Sequence, residues 1–484
     1  VLSALARRLE LSRRLWIVIL AGACVADGLL VGYNPTYGAL AAVGGIFAVL
    51  VISDLTLGFV FFTALVFLDV INASASASGT KLVGLILFAS WLARVANGRW
   101  SLVREFIGEN PWLVVSLVAF LGWATMSFTW AANAGTALAG AGRLALNIAV
   151  LPIGFAAVRQ RRHLLWVFAA FVFTATFSAA YGIASGGAGA RDIGTIGDPN
   201  AQATMAAAAI PLAVILIGEL RRLPLARAAA VAALAILLVG VVDSASREGI
   251  LGLGALMVAA VIVGGRWRGR FAAMLALGVV LVSGYVFVLA PLATRERLTM
   301  SSTSGRTTLW LVAWRVARAN PLLGVGQGNF IDVEDRYLDR PGSFNALYVI
   351  QTPKVVHNTY LEELADLGVF GLIVYLGILA SCLAAALRAA RIFERLGDPR
   401  MELMARALIF SQVGVIAAHF FVSGEYEKYQ YVLLALCPAV LSMARRAQRA
   451  ARAAAGSSSG PGPSVAAAGK PAAPAVDARQ VAPA

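Results

Sequence analysis

The chain of 484 residues is 60% hydrophobic and only 13% charged, where a soluble domain carries about 25% charged residues. That composition excludes an ordinary water-soluble enzyme and predicts an integral membrane protein. A net charge of +15 would suit nucleic acid, but the arginines fall in clusters between alternate apolar runs. This is a topology signal, and no nucleic-acid partner is expected.

Apolar runs cover residues 15–31, 37–52, 55–71, 81–95, 112–130, 136–158, 164–184, 201–220, 228–242, 249–264 and 271–290. After a long break they resume at 361–387, 407–422 and 429–443. Each is able to enter a bilayer as a helix, so the expected fold is all-α, a polytopic transmembrane bundle of about 12–14 spans. The first run follows basic residues without a convincing cleavage site and reads as a retained span. Arg7, Arg8, Arg13 and Arg14 precede it, and Arg445, Arg446, Arg449 and Arg452 follow the last; both termini are therefore expected in the cytoplasm. Residues 1–290 then hold the first eleven helices, 291–356 a large outer loop, 357–443 the last three helices, and 444–484 a disordered cytoplasmic tail. Cys24, Cys382 and Cys437 lie in apolar runs and read as packing residues.

The outer loop has internal order. Leu309, Val312, Ala313 and Val316 share one face of a helix expected over 306–319, which Asn320-Pro321 ends. It lies on the outer membrane surface or is a solvated helix that covers the bundle. Gly324, Gly326 and Gly328 permit tight turns, without the strand and helix of a dinucleotide fingerprint. At 357–375 the loop meets an apolar run. Thr359 stands three residues before Glu362, the spacing of a capping box, so a helix is expected to start there.

A helix start favours a neutral imidazole and attracts anions, which makes His357 a candidate general base beside a phosphate. Arg191, Arg247 and Arg306 occupy three separate outer loops, where topology does not call for arginine. Their guanidinium forks match phosphate oxygens, although a surface or lipid-headgroup contact would also place them there. His163 reads as a headgroup contact, and His419 as a supporting residue of a site or a hydrogen-bonded bundle histidine. Asp332, Glu334 and Asp335 read as a solvated loop face, and Glu362, Glu363 and Asp366 as complements of a positive helix start. Metal-ligand spacings such as HExxH and CxxC are missing, so neither metal nor cofactor is expected.

The segments GDPNAQA, SASREG, GRTTLWLVAW, NPLLGVGQGNF and HNTYLEELADLGVFG, in that order, resemble the O-antigen ligase and polymerase superfamily of bacterial inner-membrane glycosyltransferases. The resemblance runs over roughly 191–371. It implies a metal-independent, inverting transfer of a glycan from undecaprenyl diphosphate to an acceptor hydroxyl on the periplasmic face. The acceptor is the lipid A core in ligases and another lipid-linked glycan in polymerases, and some relatives glycosylate proteins. Carried over, the catalytic histidine is His357 and the periplasmic arginines are Arg191 and Arg247; Arg306, from its place in an outer loop, is a further candidate diphosphate ligand. Asn200, Asn358, Tyr360 and Glu362 are candidate supporting residues. Ligases of the family usually have about twelve spans, against the fourteen runs here, which leaves ligase and polymerase both open. A transporter of an anion or lipid-linked glycan, with Asp27 and Asp69 as intramembrane acids, is the competing reading, and a structural membrane component with a partner-binding loop is another.

Overall fold

Among the described residues helices form where the apolar runs predict them, because a backbone in hydrocarbon must satisfy its own hydrogen bonds. The computed structural model describes residues 21–22, 24–35, 53–66, 79–98, 100–185, 192–289, 306–338 and 354–458, with scattered positions between 38 and 51 and at 292, 295 and 296. Among them there is no strand. Most of the run at 37–52 and the first part of the run at 15–31 lie outside the described residues, as do Asp69, the tail beyond 458 and the parts of the outer loop at 297–305 and 339–353.

The helices in chain order are α1 (Leu55–Leu65), α2 (Gly79–Ala96), α3 (Trp100–Glu109), α4 (Pro111–Met126) and α5 (Ala134–Ala157). Then come α6 (Arg161–Ser185), α7 (Pro199–Glu219), α8 (Pro224–Asp243), α9 (Arg247–Val263) and α10 (Arg268–Gly284). The rest are α11 (Arg306–Ala319), α12 (Phe330–Leu338), α13 (Thr359–Arg395), α14 (Pro399–Ala418) and α15 (Lys428–Ser458). Eight helices among the described residues are long and apolar enough to cross a membrane, and the protein is a polytopic helix bundle. Two short helices were not legible as such. In α3, Phe106 is buried within a stretch that reads as a basic interhelical segment, and α12 follows the glycine loop directly.

Small residues set the centre of the bundle. Ala206, Ala207, Ala208 and Ala209 of α7 are all buried, which lets neighbouring backbones approach closely. At the α9–α14 crossing, a Cβ on Gly252 would stand 2.9 Å from the Gly414 carbonyl oxygen. The first half of α15 is buried from Tyr429 to Ala444, hence its role as a core helix.

The basic clusters gather at one pole and meet acids there. Arg159 pairs with Glu105 at 2.7 Å, Arg449 with Glu109 at 3.3 Å, and Arg161 with Glu219. The buried pair Arg406 and Glu402, 3.0 Å apart, reaches outward to Glu394 at 3.0 Å from Arg406 and to Arg266 from Glu402. At this pole His163 sets Nδ1 3.1 Å from the Ala157 carbonyl oxygen and stacks on Trp166.

The opposite pole carries the loops, locked together around a break in α13. Gly368 has φ 69° and ψ −171°, which divides α13 into a short outer piece and the long apolar span; Val369 donates its N–H to Pro321 O at 2.9 Å. The glycine loop docks on the outer piece. Asp366 accepts from the N–H groups of Gly328 at 2.7 Å and Phe330 at 2.8 Å, and Gly326 N–H reaches the Asp366 carbonyl at 2.8 Å. Trp123 and Trp130 donate their indole N–H to Leu367 O and Leu323 O. Asp366 is thus a buried acceptor for the loop and does not face the helix start as the sequence suggests. Glu334 is likewise buried, unlike its exposed neighbours Asp332 and Asp335, because its carboxylate accepts the Lys354 N–H.

Gly324 lies in the left-handed region at φ +68°, and a Cβ there would run into the Asp366 carbonyl. Gly324→Ala should therefore destabilise the protein by on the order of 2 kcal/mol, read as a lowered unfolding midpoint in detergent.

Candidate functional site

Five segments converge at the loop pole, each fixed by its own local chemistry. Asp198 followed by Pro199 is an acidic N-cap with proline at the first helical position. Its carboxylate accepts from the N–H groups of Asn200 and Ala201 at 2.9 and 2.8 Å, and Asn200 is buried at the start of α7. Upstream, Thr195 donates its N–H to Ser178 Oγ, which donates to Gln202 Oε1 at 2.7 Å. Asp192 N–H bonds Asp243 O at 3.4 Å and so ties this loop to the end of α8. Burial pushes the Asp192 carboxyl up to about 7, with the Gly194 N–H opposing and Asp243 adding to the rise. Arg191, the adjoining residue, lies outside the described residues.

The turn after α8 carries the second segment. Ser246 caps α9 by accepting from Gly249 N–H, and donates to Glu248 Oε2 at 2.6 Å. Arg247, the first residue of α9, is exposed. Glu248 is buried and pairs with Arg306, the first residue of α11, whose side chain is 20% exposed. This ion pair joins two of the three predicted arginine positions to one another, and commits part of the Arg306 charge to holding the loop layer.

His357 sits in the left-handed region at φ 54°, an uncommon place for a residue with a Cβ. Its N–H donates to Ser423 Oγ at 2.9 Å, and the Ser423 hydroxyl also bonds Glu362. Burial holds the His357 imidazole below its ordinary value of 6.5; the Arg306 and Lys354 cations add to that, and Asp198 opposes it. Arg306, Asp198 and Lys354 therefore all act electrostatically on this ring. Lys354 is held by its backbone to Glu334, whose carboxyl burial pushes up to about 7.

The helix start lies one residue earlier than the capping box suggests. Asn358 is the cap, accepting from Tyr360 and Leu361 N–H at 3.1 Å each. Thr359 instead bridges to the α14–α15 turn, with its N–H on His419 O and Val422 O and its hydroxyl on Val422 O at 2.6 Å. Tyr360 donates its hydroxyl to Ile416 O at 2.6 Å and packs on Phe420, so it supports the site through helix packing. His419 is fully buried, but its ring nitrogens make no hydrogen bond among the described residues; its carbonyl, not its ring, is the part that holds the turn.

Behind the histidine lies a buried acidic group of Glu362, Glu363, Asp366 and Glu425. Burial pushes Glu425 up to about 7, against the pull of Arg143. Sequence reasoning missed Asp198, Glu248, Lys354, Ser423, Glu425 and Arg143. Only Asp198 carried a local signal, the Asp-Pro helix start; the others matter through contacts between segments distant in the chain. Among the described residues no group of three or more His, Cys, Asp or Glu is arranged to hold a metal ion.

Residues 232–376 match the family model described as O-antigen ligase (Wzy_C). The matched stretch contains Arg247, Arg306, His357 and the interlocked glycine loop, and the match supports the superfamily that the motifs resemble. No curated protein matches the chain significantly.

Removing one member of a buried ion pair strands the other charge. Arg306→Gln should cost on the order of 2 kcal/mol, reduced by partial exposure. Adding Glu248→Gln should recover most of that loss in thermal unfolding, and additive losses would contradict the pairing.

Proposed function

Taking the chain as a member of the O-antigen ligase and polymerase superfamily, we propose that it moves a glycan from undecaprenyl diphosphate to an acceptor hydroxyl at the pole that carries His357. The acceptor is the lipid A core or a second lipid-linked glycan. The site faces the periplasm from the bacterial inner membrane, with both termini cytoplasmic, a reading supported by the arginine clusters at the opposite pole. The observation that carries the assignment is the half-buried His357 among cations, an imidazole kept neutral at working pH.

An acceptor hydroxyl is too weak an acid to attack unaided, so the imidazole takes its proton as the oxygen bonds the anomeric carbon. The bond from that carbon to the diphosphate oxygen breaks, and the electron pair leaves with the lipid diphosphate. Arg247 and Arg306, with Arg191 alongside, bind the diphosphate and stabilise the charge that grows on it. Attack opposite the leaving group inverts the anomeric centre. No metal enters this scheme, because two or three guanidinium groups supply the positive charge. Asn358 holds the start of α13, Asn200 lies in the first turn of α7 under the Asp198 cap, Tyr360 braces α13 on α14, and Glu362 fixes Ser423, which holds the His357 backbone.

His357→Ala, at normal membrane abundance, should lower transfer in proteoliposomes supplied with a lipid diphosphate donor by at least about 100-fold; retained transfer would sink the base role. A base must be neutral, and the His357 value is lowered, so the acid limb of kcat/KM should lie below the ordinary 6.5. Arg306→Gln removes a cation that lowers it, and should move the limb to higher pH. Asp198→Asn removes the opposing anion while keeping a capping side chain, and should move it to lower pH.

A further inference from the structure

Arg143 lies nine residues into α5, about 14 Å along a helix able to cross the membrane. It is exposed on the side of the bundle, where an arginine is costly unless it has an anionic or polar partner. Its guanidinium stands 5.4 Å from the centre of the Tyr426 ring. That ring is held from two sides: Gln327 donates to its hydroxyl at 2.7 Å, and Asn147 donates to the Tyr426 carbonyl at 3.1 Å. The nearby Glu425 is buried and pushed up to about 7, so it supplies Arg143 with less than a full counter-charge.

Arg143 and Lys428 flank a cleft of about 320 Å³ between α1, α2 and α5, whose wall includes Phe62, Leu87 and Ile153. The volume is at the lower end for a small-molecule pocket, enough for a segment of hydrocarbon chain and too small for a glycan. Two cations beside an apolar slot at the flank of a membrane bundle are complementary to one class of ligand, a lipid with a phosphate head. The cleft is also tied to the transfer site. Lys428 is five residues from Ser423, the residue that accepts the His357 N–H, so the two are within about 18 Å of each other by chain length alone. A transfer between two lipid-borne substrates requires two lipid seats, and the arginines around His357 account for one.

We propose that this cleft seats the lipid anchor of the acceptor, with the hydrocarbon chain against Phe62, Leu87 and Ile153 and the head phosphate on Arg143 and Lys428. The proposal rests on the transferase reading above. The loop 423–428 is then a partition, with donor diphosphate on the His357 side and acceptor lipid on the Tyr426 side. Arg143 and Lys428 act in binding and touch neither the anomeric carbon nor the proton.

The test separates the two substrates kinetically in nanodiscs. Arg143→Gln with Lys428→Gln should raise the KM for the acceptor lipid about tenfold or more, the size expected for lost hydrogen bonds to a charged group, and leave the donor KM within about twofold. Leu146→Trp, at an exposed position of the cleft wall, should raise the acceptor KM by obstruction without disturbing the core. A rise in donor KM instead would assign the cleft to the donor, and no change in either would leave it an adventitious membrane-lipid groove; each overturns the proposal. A second arm needs no turnover. A phosphate-headed lipid with a photoreactive chain should label the wall around Leu87 in the wild type and much less in the double variant, and equal labelling overturns the proposal. A wild type that labels but transfers no glycan would mark the failure of the transferase reading itself, and the acceptor assignment would fall with it.

Discussion

The loop pole depends on one carboxylate. Asp366 accepts backbone N–H groups from Gly328 and Phe330, and this fastens a loop that has few hydrogen bonds of its own to the outer piece of α13. Without a buried acceptor those amides would be left unpaired in a dry environment, at a cost comparable to a lost hydrogen bond each. The glycines serve the same contact: Gly324 and Gly368 bring two backbones closer than any side chain allows. Because the fastened piece begins at Thr359, the loop sets the position of the Asn358 cap and of His357 just before it.

Charge at that pole is arranged by contrast. Arg306 and Lys354 surround an imidazole that is easiest to keep neutral where it is half-buried, while four carboxylates lie behind it out of solvent. Like charges held together below a surface disfavour ionisation, so the acidic group does not cancel the cations in front of it in the way a solvated set of acids would. A neutral imidazole beside fixed positive charge is the combination that the proposed transfer needs.

Much of this was legible in the sequence. Apolar runs located the helices because the bilayer imposes a length and an alternation on each segment, and the surface helix at 306–319 followed from its periodicity. His357, Arg247 and Arg306 stand out as candidates by their place at loop ends and by motif resemblance. What the sequence hid were the pairings. Glu248 sits beside Arg247, but its partner is Arg306; Glu334 looks solvated next to Asp332 and Asp335 but turns inward to the Lys354 backbone. The capping box at Thr359 gave way to Asn358 because the Thr359 hydroxyl was needed by Val422 O. Arg143 escaped notice because a lone arginine in an apolar run changes its hydropathy little, and its meaning lies in Tyr426 and Lys428, far along the chain.

The basic pole gives the same arginines two successive tasks. As separate segments enter a membrane, their arginines count at full charge and bias each hairpin toward one side. Arg159, Arg161, Arg266, Arg406 and Arg449 later meet glutamates that arrive on other helices. The orienting charge of these five is thus paired only once the bundle closes: a helix inserted the wrong way round would carry its arginine away from the glutamate that receives it.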